Sequence, residues 1–541
     1  MAGAIAAPAP ARGEGAARRG RPVALAVLCT LLFLTFLDNT VVSVALASVQ
    51  ADLKAAVSSL QWVVGAYALT FAALMLGFGM LGDEFGRKKV MLAGAGVYCA
   101  GAALSALAGS IPVLIAGRAV MGLGAAASEP GTLSMIRQLY ADERNRNRAL
   151  GVWAAVSGFS LALGPVLGGA LVGLWSWRGI FWFDVTFGLV AMVAGAVLLP
   201  ESADPRAGKV DLTGTALGAA ALALAVFAVI DGESAGYTAP RVLALFGGAS
   251  LAAAGFAWRE LRAAHPLIDP RLLRVPRFTT PNVVAFCCYV ATFAVFFFTA
   301  LYLAEVAGYS GYRIAAVFLP MTAVMIAASL LAGRWTTTAG VRWSLLGGCL
   351  VFAAGLLAVD AVLGPRPGYL ALACALALAG AGLGACIVPI TSSVLAAVPA
   401  QRSGMAASAT NTSREIGAVT GVAVLGALVS AELRSGLLRR MAELHVPAAL
   451  RSFIVSAVET GGGASLAGGP GAGAGGAGGP SGGLIGQLYQ AGYAAFGTAL
   501  HDALLACAAL LGAAAVLVLA TLRRPAAAAG HGQGRGGSEA A

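Results

Sequence analysis

Long apolar stretches recur along nearly the whole chain. Each is about 18 residues or longer, and a helix of that length, rising about 1.5 Å per residue, crosses the roughly 30 Å hydrocarbon core of a bilayer. Only 11% of the 541 residues are charged and 59% are hydrophobic, whereas a soluble domain carries about 25% charged residues. The repetition excludes a single anchor and predicts an all-α polytopic membrane protein.

The distribution of basic residues predicts the topology. If the N-terminus is cytoplasmic, roughly two thirds of the Lys and Arg residues fall on inward-facing segments, as the positive-inside bias requires. Both termini are then cytoplasmic and the number of spans is even. Because the net charge of +11 follows this pattern, it does not indicate nucleic-acid binding. Fourteen spans are predicted, at 22–43, 59–80, 90–108, 112–137, 149–172, 180–199, 211–231, 242–258, 280–303, 312–333, 342–361, 369–398, 404–430 and 502–522.

A basic stretch at 258–280 divides these spans eight to six, a division that fits two six-helix bundles with two inserted helices. A segment of Gly, Ala, Ser and Pro near the C-terminus predicts a flexible outer loop. The predicted regions are a disordered cytoplasmic N-terminus (1–21), an N-terminal six-helix bundle (22–200), two inserted helices (201–258), a cytoplasmic linker (259–279), the first five helices of the C-terminal bundle (280–430), a long Gly-rich outer loop (431–501), the last helix (502–522) and a disordered cytoplasmic tail (523–541).

The eight cysteines all fall inside predicted spans. In such spans a thiol acts as a small apolar side chain. We therefore expect neither disulfides nor a metal site.

A short charged turn separates the second and third predicted spans. Gly79 allows two helices to approach, Gly86 permits a tight reversal, and Asp83 is able to accept hydrogen bonds from a neighbouring helix N-terminus. Arg87 and Lys88 hold the turn on the cytoplasmic side. The string Gly79-Met-Leu-Gly-Asp83-Glu-Phe-Gly86-Arg87-Lys88-Lys89 resembles the loop signature of the major facilitator superfamily of transporters, in which we expect it to act as a cytoplasmic gating loop.

Asp38 lies inside the first predicted span. An ionised carboxylate in hydrocarbon is costly unless it is paired or hydrated, so it is a functional candidate by default. The segment 37–46 is similar to the first-span signature of drug:proton antiporters in this superfamily, which implies that Asp38 binds and releases a proton. The alternative is a structural, hydrogen-bonding carboxylate.

Arg118 lies inside the fourth predicted span, in a stretch that matches the superfamily pattern of an arginine followed by small residues. By helical rise, Asp38 and Arg118 lie about 24 and 28 Å from the cytoplasmic ends of their spans, which is compatible with contact. We expect Arg118 to pair with the ionised Asp38. The alternative is that Arg118 snorkels to the outer interface.

Glu129 is unexpected before Pro130, where the family usually has an apolar residue. It follows Arg118 by about 1100° of helical rotation, so the two residues project on nearly one face. We predict that Glu129 is a second protonatable or cation-attracting group. A structural carboxylate near the inner mouth is the alternative.

The fifth predicted span contains Gly164, Pro165, Gly168 and Gly169. Gly164 and Gly168 form a small-xxx-small face for close packing, and Pro165 introduces a bend. The stretch resembles the antiporter signature that separates exporters from importers in the superfamily, with Ser160 in place of its leading glycine.

The segment from Trp175 to Asp184 is similar to the aromatic and basic boundary before the sixth span of the fourteen-span antiporters. The family commonly has Asn where Asp184 stands. We expect Asp184 to be solvated at the outer interface, and a third functional carboxylate is the alternative.

The thirteenth predicted span contains Asn411, Arg414 and Glu415, in a stretch similar to that of the fourteen-span exporters. Arg414 and Glu415 are adjacent, so their side chains diverge by about 100° and each needs a partner on another helix. A structural network at the domain interface and direct participation in gating are both open.

The resemblance as a whole implies a fourteen-span drug:proton antiporter that works by alternating access. We expect a monomer in the lipid bilayer of the bacterial cytoplasmic membrane, exporting amphipathic or cationic small molecules. The sequence has no Walker loop, zinc motif or nucleophile with its base, so we expect no enzymatic activity and no cofactor, with the proton gradient as the energy source. The alternatives are a dedicated exporter of one antibiotic, lipid or siderophore and a non-transporting membrane sensor.

Overall fold

All regular elements are helical in the residues that the computed structural model describes, and no strand occurs among them. The described residues are 14–140, 142–201, 211–263, 267, 271–364, 367–398, 403–443 and 484–522. The α-helices are α1 (Glu14–Leu53), α2 (Val57–Phe85), α3 (Arg87–Ala106), α4 (Ile111–Leu139), α5 (Glu143–Leu174), α6 (Arg178–Leu198), α7 (Leu212–Ala235), α8 (Pro240–Arg262), α9 (Pro276–Phe293), α10 (Ala300–Glu305), α11 (Gly311–Ala339), α12 (Val341–Val362), α13 (Tyr369–Ala396), α14 (Ser403–Thr420), α15 (Gly426–Glu443) and α16 (Leu484–Thr521).

Thirteen helical segments in the described residues are long and apolar enough to cross a membrane. They coincide with thirteen of the predicted spans. The fifth predicted span lies in α5, whose apolar portion is the shorter segment Leu163–Leu174. The all-α polytopic architecture is confirmed, whereas the count of fourteen and the side of the termini stay predictions.

Several helices extend past the apolar runs that predicted them. α1 reaches Leu53 instead of residue 43, α15 continues to Glu443, and α16 begins at Leu484. Helices α8 and α9 likewise enter the predicted linker 259–279 from both sides. A helix satisfies its own backbone hydrogen bonds in water as well as in lipid, so it does not end where hydropathy falls. The predicted N-terminal segment before 14, the centre of the outer loop (444–483) and the tail after 522 lie outside the described residues.

Two spans of the C-terminal half contain a π-helical turn, at 294–299 between α9 and α10 and at 421–425 between α14 and α15. The first turn packs on α1, and the second packs on α2 and α7. Both turns therefore lie where the C-terminal half meets the N-terminal half. π-helical turns inside α-helices frequently mark functional sites.

The helices pack as two sets. In the N-terminal set, α1 packs on α5, and α4 packs on α2 and α3. In the C-terminal set, α13 packs on α11 and α12, α9 on α14, and α12 on α16. The two sets meet where α5 packs on α11 and α2 packs on α14, while α7 and α8 pair with each other and α7 reaches the core through α2.

Asp211 closes one end of the inserted helix pair. Its carboxylate accepts a hydrogen bond from the backbone N–H of Gly214 at 3.0 Å, which caps α7, and one from Nε of Arg259 on α8 at 2.9 Å. Burial acts to raise the pKa of Asp211, but the hydrogen bonds from Arg259 and Gly214 outweigh it and lower the pKa. The carboxylate therefore stays ionised and holds the two helices together.

Large apolar side chains cover the outer surface. Val197, Leu251 and Leu370 are each more than 70% exposed. Such a surface is stable against lipid and not against water. The charged side chains discussed next are, in contrast, enclosed between the helices.

Candidate functional site

A buried ion pair joins Asp38 of α1 to Arg118 of α4. Nη1 of Arg118 donates to Oδ2 of Asp38 at 2.5 Å, and both side chains are almost completely enclosed. Nε of Arg118 donates to the carbonyl of Val63 at 2.9 Å, and the guanidinium lies 4.5 Å from the ring centre of Tyr67. The structure brings together the two residues whose depths suggested contact, and Arg118 does not snorkel to the interface. Protonation of Asp38 would remove the charge that holds this pair.

Two further hydrogen bonds connect the bundles through buried carboxyl and amide groups. Asn411 of α14 donates to Oε1 of Glu129 on α4 at 2.7 Å. Asn39 of α1 donates to Oε1 of Glu415 on α14 at 3.0 Å. Each bundle thus supplies one carboxyl group and one amide to the interface. The second oxygen of Glu129 and that of Glu415 have no hydrogen-bond partner in the described residues.

Arg414 lies at the centre of this network in the C-terminal bundle. Its Nη1 donates to Oδ1 of Asn411 at 3.2 Å, and its Nη2 donates to Oγ1 of Thr391 on α13 at 3.0 Å. Arg414 and Glu415 contact different helices, as their adjacency predicts. Glu129 is linked through Asn411 to Arg414, and not to the arginine of its own helix.

Asp184 of α6 is buried, so the expectation of a solvated carboxylate was wrong. Its side chain is 0% exposed, and neither of its oxygens has a hydrogen-bond partner among the described residues. The start of α6 is fixed by Arg178, which donates to Asp52 of α1 at 2.6 Å and to the carbonyl of Ala108 at 3.0 Å. Trp177 also donates to Asp52, at 3.0 Å. These bonds hold α6 against α1, so Asp184 is enclosed by the bundle although it lies close to the helix end.

The glycines of α5 set its distance from α1. A methyl group at Gly164 would lie 2.8 Å from Cβ of Thr40 and 2.9 Å from the backbone nitrogen of Val41, and one at Gly168 would overlap Val41 as well. Thr40 and Val41 follow Asp38 by two and three residues. The predicted close-packing face of α5 therefore packs on α1, the helix that supplies Asp38 to the buried ion pair.

Gly169 makes the corresponding contact with the other bundle. It lies against the backbone of Gly311 and the side chain of Ala315 on α11, where a methyl group would not fit. Pro165 lies inside α5 between these contacts. One glycine motif thus packs α5 on α1 and on the opposite bundle.

Gly86 forms the reversal between α2 and α3, with a φ of +112° that L-residues rarely adopt. α3 begins at Arg87. The backbone N–H of Lys88 donates to Oε1 of Glu201 at 3.1 Å, and its Nζ donates to the carbonyl of Ala196 at 2.7 Å. The turn is therefore tied to the end of α6.

Gly79 lies at the contact between the bundles. A methyl group there would lie 3.5 Å from Cβ of Pro130 on α4 and 3.9 Å from Oγ of Ser408 on α14. The side chain of Asp83, which the sequence predicts to be part of the gating loop, lies outside the described part of the structure.

Three cysteines from separate spans lie together in the C-terminal bundle. The sulfur atoms of Cys288, Cys349 and Cys386 are all within 4.8 Å of one another, and all three side chains are buried. From the sequence we expected these thiols to act as small apolar side chains. The cluster is not visible in the sequence because its three members lie on different helices.

A cavity of about 530 Å³ lies between α10, α12 and α16, away from this polar network. Its lining includes Tyr302, Tyr493, Asp360 and His501. Nδ1 of His501 lies 2.7 Å from Oδ1 of Asp360. The buried carboxyl groups do not line this cavity.

Two packed helical bundles with a charged and polar network at their interface define a polytopic membrane transporter fold. The chain belongs to the Major Facilitator Superfamily, whose family model matches residues 28–422. It is a multi-pass protein of the bacterial cytoplasmic membrane, and its family consists of transporters and not of enzymes.

Similar proteins agree with this assignment. The chain is 31% identical over 427 residues to the multidrug resistance protein Stp of Mycobacterium tuberculosis, covering 79% of each chain. It is 33% identical over 427 residues to a methylenomycin A resistance protein of Streptomyces coelicolor, covering 79% of this chain and 89% of that protein. Its fold is similar to that of a bacterial homologue of the human lysosomal transporter Spinster, in an inward-facing and occupied conformation, with a TM-score of 0.65, 17% identity, and coverage of 93% of this chain and 97% of that one.

Proposed function

We propose that this protein exports amphipathic or cationic small molecules, drugs and antibiotics among them, in exchange for protons. The observation that carries the proposal is the buried pair of Asp38 and Arg118. A carboxylate that is enclosed and held by one cation changes its pairing when it gains a proton. The names of the relatives, a multidrug resistance protein and an antibiotic resistance protein, support the substrate class.

In the proposed cycle, the outward-facing Asp38 takes up a proton and releases Arg118 or a cationic substrate, and the bundles then rock inward. Loss of the proton inside restores the carboxylate and favours substrate binding. Asn39, the next residue on α1, donates to Glu415 of the opposite bundle. A change at Asp38 is therefore passed by one helix to the bundle interface, which is the two-state element that alternating access needs.

The assay for this function uses inside-out vesicles, a fluorescent lipophilic cation and an imposed proton gradient. We expect uptake of the cation into the vesicles while the gradient persists, and loss of uptake when an uncoupler collapses it. Uptake that the uncoupler does not affect would contradict proton coupling, and it would leave the substrate's own gradient as the energy source.

A dedicated exporter of one natural product is the second candidate. It is favoured by the 33% identity to a protein named for resistance to a single antibiotic. A panel of structurally unrelated compounds, tested by growth of an efflux-deficient host, separates the two: protection against several classes supports a broad pump, and protection against one supports a dedicated exporter. If no compound is transported, the remaining alternative, a non-transporting membrane sensor, is favoured.

We propose that Asp83 latches the cytoplasmic side by contacting the start of the opposing helix near Ser403. Replacing Asp83 by Asn removes the charge and preserves the size of the side chain. We expect transport to fall about tenfold, the change that corresponds to 1.4 kcal/mol, while the amount of protein in the membrane stays the same. Full transport activity would contradict the latch.

We propose that Glu129 is a protonatable group of the pathway. Glutamine at this position retains the oxygen that accepts the hydrogen bond from Asn411 but cannot bind or release a proton. The Glu129→Gln variant is therefore expected to fold normally and to lose about tenfold or more in cation export, with a changed dependence on pH. An unchanged rate and pH profile would assign Glu129 a structural role.

We further propose that one chain is the functional unit, in a six, two, six arrangement of spans with both termini cytoplasmic, without a cofactor or nucleic-acid partner. Mass photometry of the detergent-purified protein is expected to show a monomer. A stable dimer under conditions that support substrate binding would contradict the proposal.

A further inference from the structure

Asp184 is a buried titratable group that the proposed cycle does not use. It lies on α6 with an exposed fraction of 0%, and both of its carboxyl oxygens are without a hydrogen bond in the described structure. Glu129 and Glu415 are buried too, but each accepts a hydrogen bond from the opposite bundle. An ionised carboxylate with no partner is among the most costly groups to bury.

The register of α6 against α1 places Asp184 beside the ion pair. One turn further along α6, Gly188 faces Leu34 of α1 and Cys99 of α3. Asp52 of α1 pairs with Arg178 at the start of α6, so the two helices run antiparallel. Four residues from Leu34 towards Asp52 lead to Asp38, and four residues from Gly188 towards Arg178 lead to Asp184.

Several titratable groups lie close enough to Asp184 to interact with it electrostatically, on α1 and α3, which pack against α6, and on α2 and α4. They are Asp38 of α1, Tyr67 of α2, Tyr98 and Cys99 of α3, and Arg118 of α4. The Tyr98 hydroxyl is a neighbouring donor that interacts with Asp184, although neither group makes a hydrogen bond of ordinary geometry in the described structure. The apolar portion of α5, Leu163–Leu174, contains no titratable residue. Arg118 is therefore the cation that serves both carboxyl groups.

The net charge of the cluster formed by Arg118, Asp38 and Asp184 depends on a single proton. Arg118 neutralises one carboxylate, and its hydrogen bond goes to Asp38. With one proton on the pair of carboxyl groups the cluster is neutral, and without that proton it carries one negative charge. A single negative charge enclosed by helices is stable only when a cation is bound beside it. The cavity next to Tyr98 and Gly188 has only about 10 Å³, so a substrate needs the bundle to open.

We propose that Asp184 supplies the unbalanced charge that allows the site to hold a cationic substrate in place of a proton, and that it thereby determines the preference for cations. One carboxylate of the pair keeps Arg118 neutralised, while the pair as a whole exchanges one proton for one monovalent cation. This inference rests on the proposed function. It adds that a neutral amphipathic compound does not need Asp184.

The test measures binding to the purified protein in detergent, with tetraphenylphosphonium as the monovalent cation and N-phenyl-1-naphthylamine as a neutral probe. Proton release on binding is followed with a pH indicator in weak buffer. The variants are Asp184→Asn, which retains the shape, and Asp184→Glu, which retains the charge. Asp231→Asn, whose partly exposed carboxylate pairs with the exposed Arg241, is the matched control.

We expect wild type, Asp184→Glu and the control to release about one proton for each bound cation, as exchange at a shared pair requires. We expect Asp184→Asn to release none and to bind the cation at least about tenfold more weakly, which corresponds to 1.4 kcal/mol. Its affinity for the neutral probe should stay unchanged, which a merely structural role of Asp184 does not explain.

Wild-type proton release that persists in Asp184→Asn, with unchanged cation affinity, would overturn this inference and leave the proposed function in place. If wild type releases no proton, the proposed function itself fails. If Asp184→Asn does not fold, Asp184→Glu decides: proton release on cation binding supports the inference. An Asp184→Glu protein that still binds the neutral probe, and is therefore folded, but releases no proton when it binds the cation overturns it.

Discussion

Replacing Asp38 by Asn is expected to abolish proton-driven cation export, to the level of vesicles without the protein. Asparagine has nearly the shape of the protonated acid, so the variant resembles one half of the cycle and cannot reach the other. It also leaves Arg118 buried without its charged partner. Removing one member of a buried ion pair costs about 3–5 kcal/mol, and the remaining amide oxygen offsets part of that. Transport is measured in inside-out vesicles with the fluorescent cation.

Two measurements separate coupling from folding in this variant. The amount of protein in the membrane and its melting temperature in detergent show whether the helices still pack. Asp231→Asn, in which the lost carboxylate is partly exposed and pairs with the exposed Arg241, is expected to transport normally. A folded Asp38→Asn protein with wild-type, gradient-dependent export would contradict the role of Asp38 and would favour coupling through the other buried carboxyl groups.

Replacing Gly164 by Ala is expected to reduce export to less than about one tenth and to destabilise the protein. The added methyl group would overlap Thr40 and Val41 of α1, and overpacking of this kind typically costs about 1–3 kcal/mol. Because α1 carries Asp38 and Asn39, displacing it disturbs the ion pair and the hydrogen bond to Glu415 together. Efflux from cells and the melting temperature of the purified protein measure the two effects.

Gly158 provides a matched control on the same helix. A methyl group there meets its nearest atoms at ordinary distances, 3.6 Å from Ile387 and 3.9 Å from Ser329. Gly158→Ala is therefore expected to be stable and active. Equal behaviour of Gly158→Ala and Gly164→Ala would show that the close approach of α5 to α1 is not what the motif provides.

The sequence predicted the pairing of Asp38 with Arg118 from depth alone. Residues on two spans lie at comparable depth when their distances along the helix, measured from the same membrane surface, are similar, whichever way each helix runs. The same reasoning failed for Asp184. Closeness to a helix end suggested a solvated side chain, but the clamp of Arg178 and Trp177 on Asp52 encloses that end against α1.

Asn39 was not singled out from the sequence, although it follows Asp38 directly. An amide in an apolar span carries no charge to attract notice, and its importance depends on Glu415 lying opposite. The cysteine cluster was hidden for the same reason, since the three thiols lie on α9, α12 and α13. A polar or thiol group inside a span is informative only together with the helix that faces it.

Hydropathy, charge and short motifs were sufficient to establish an all-α polytopic transporter of this superfamily and to mark its intramembrane charges, because the cost of placing a residue in lipid is a local property. The partners of those charges required the packed structure. The hydrogen bonds of Asn39 with Glu415 and of Asn411 with Glu129 join residues 376 and 282 positions apart. The enclosure of Asp184 depends on the packing of α6 against α1. Such contacts are set by the rotation and register of packed helices, which are properties of the whole assembly and not of any one span.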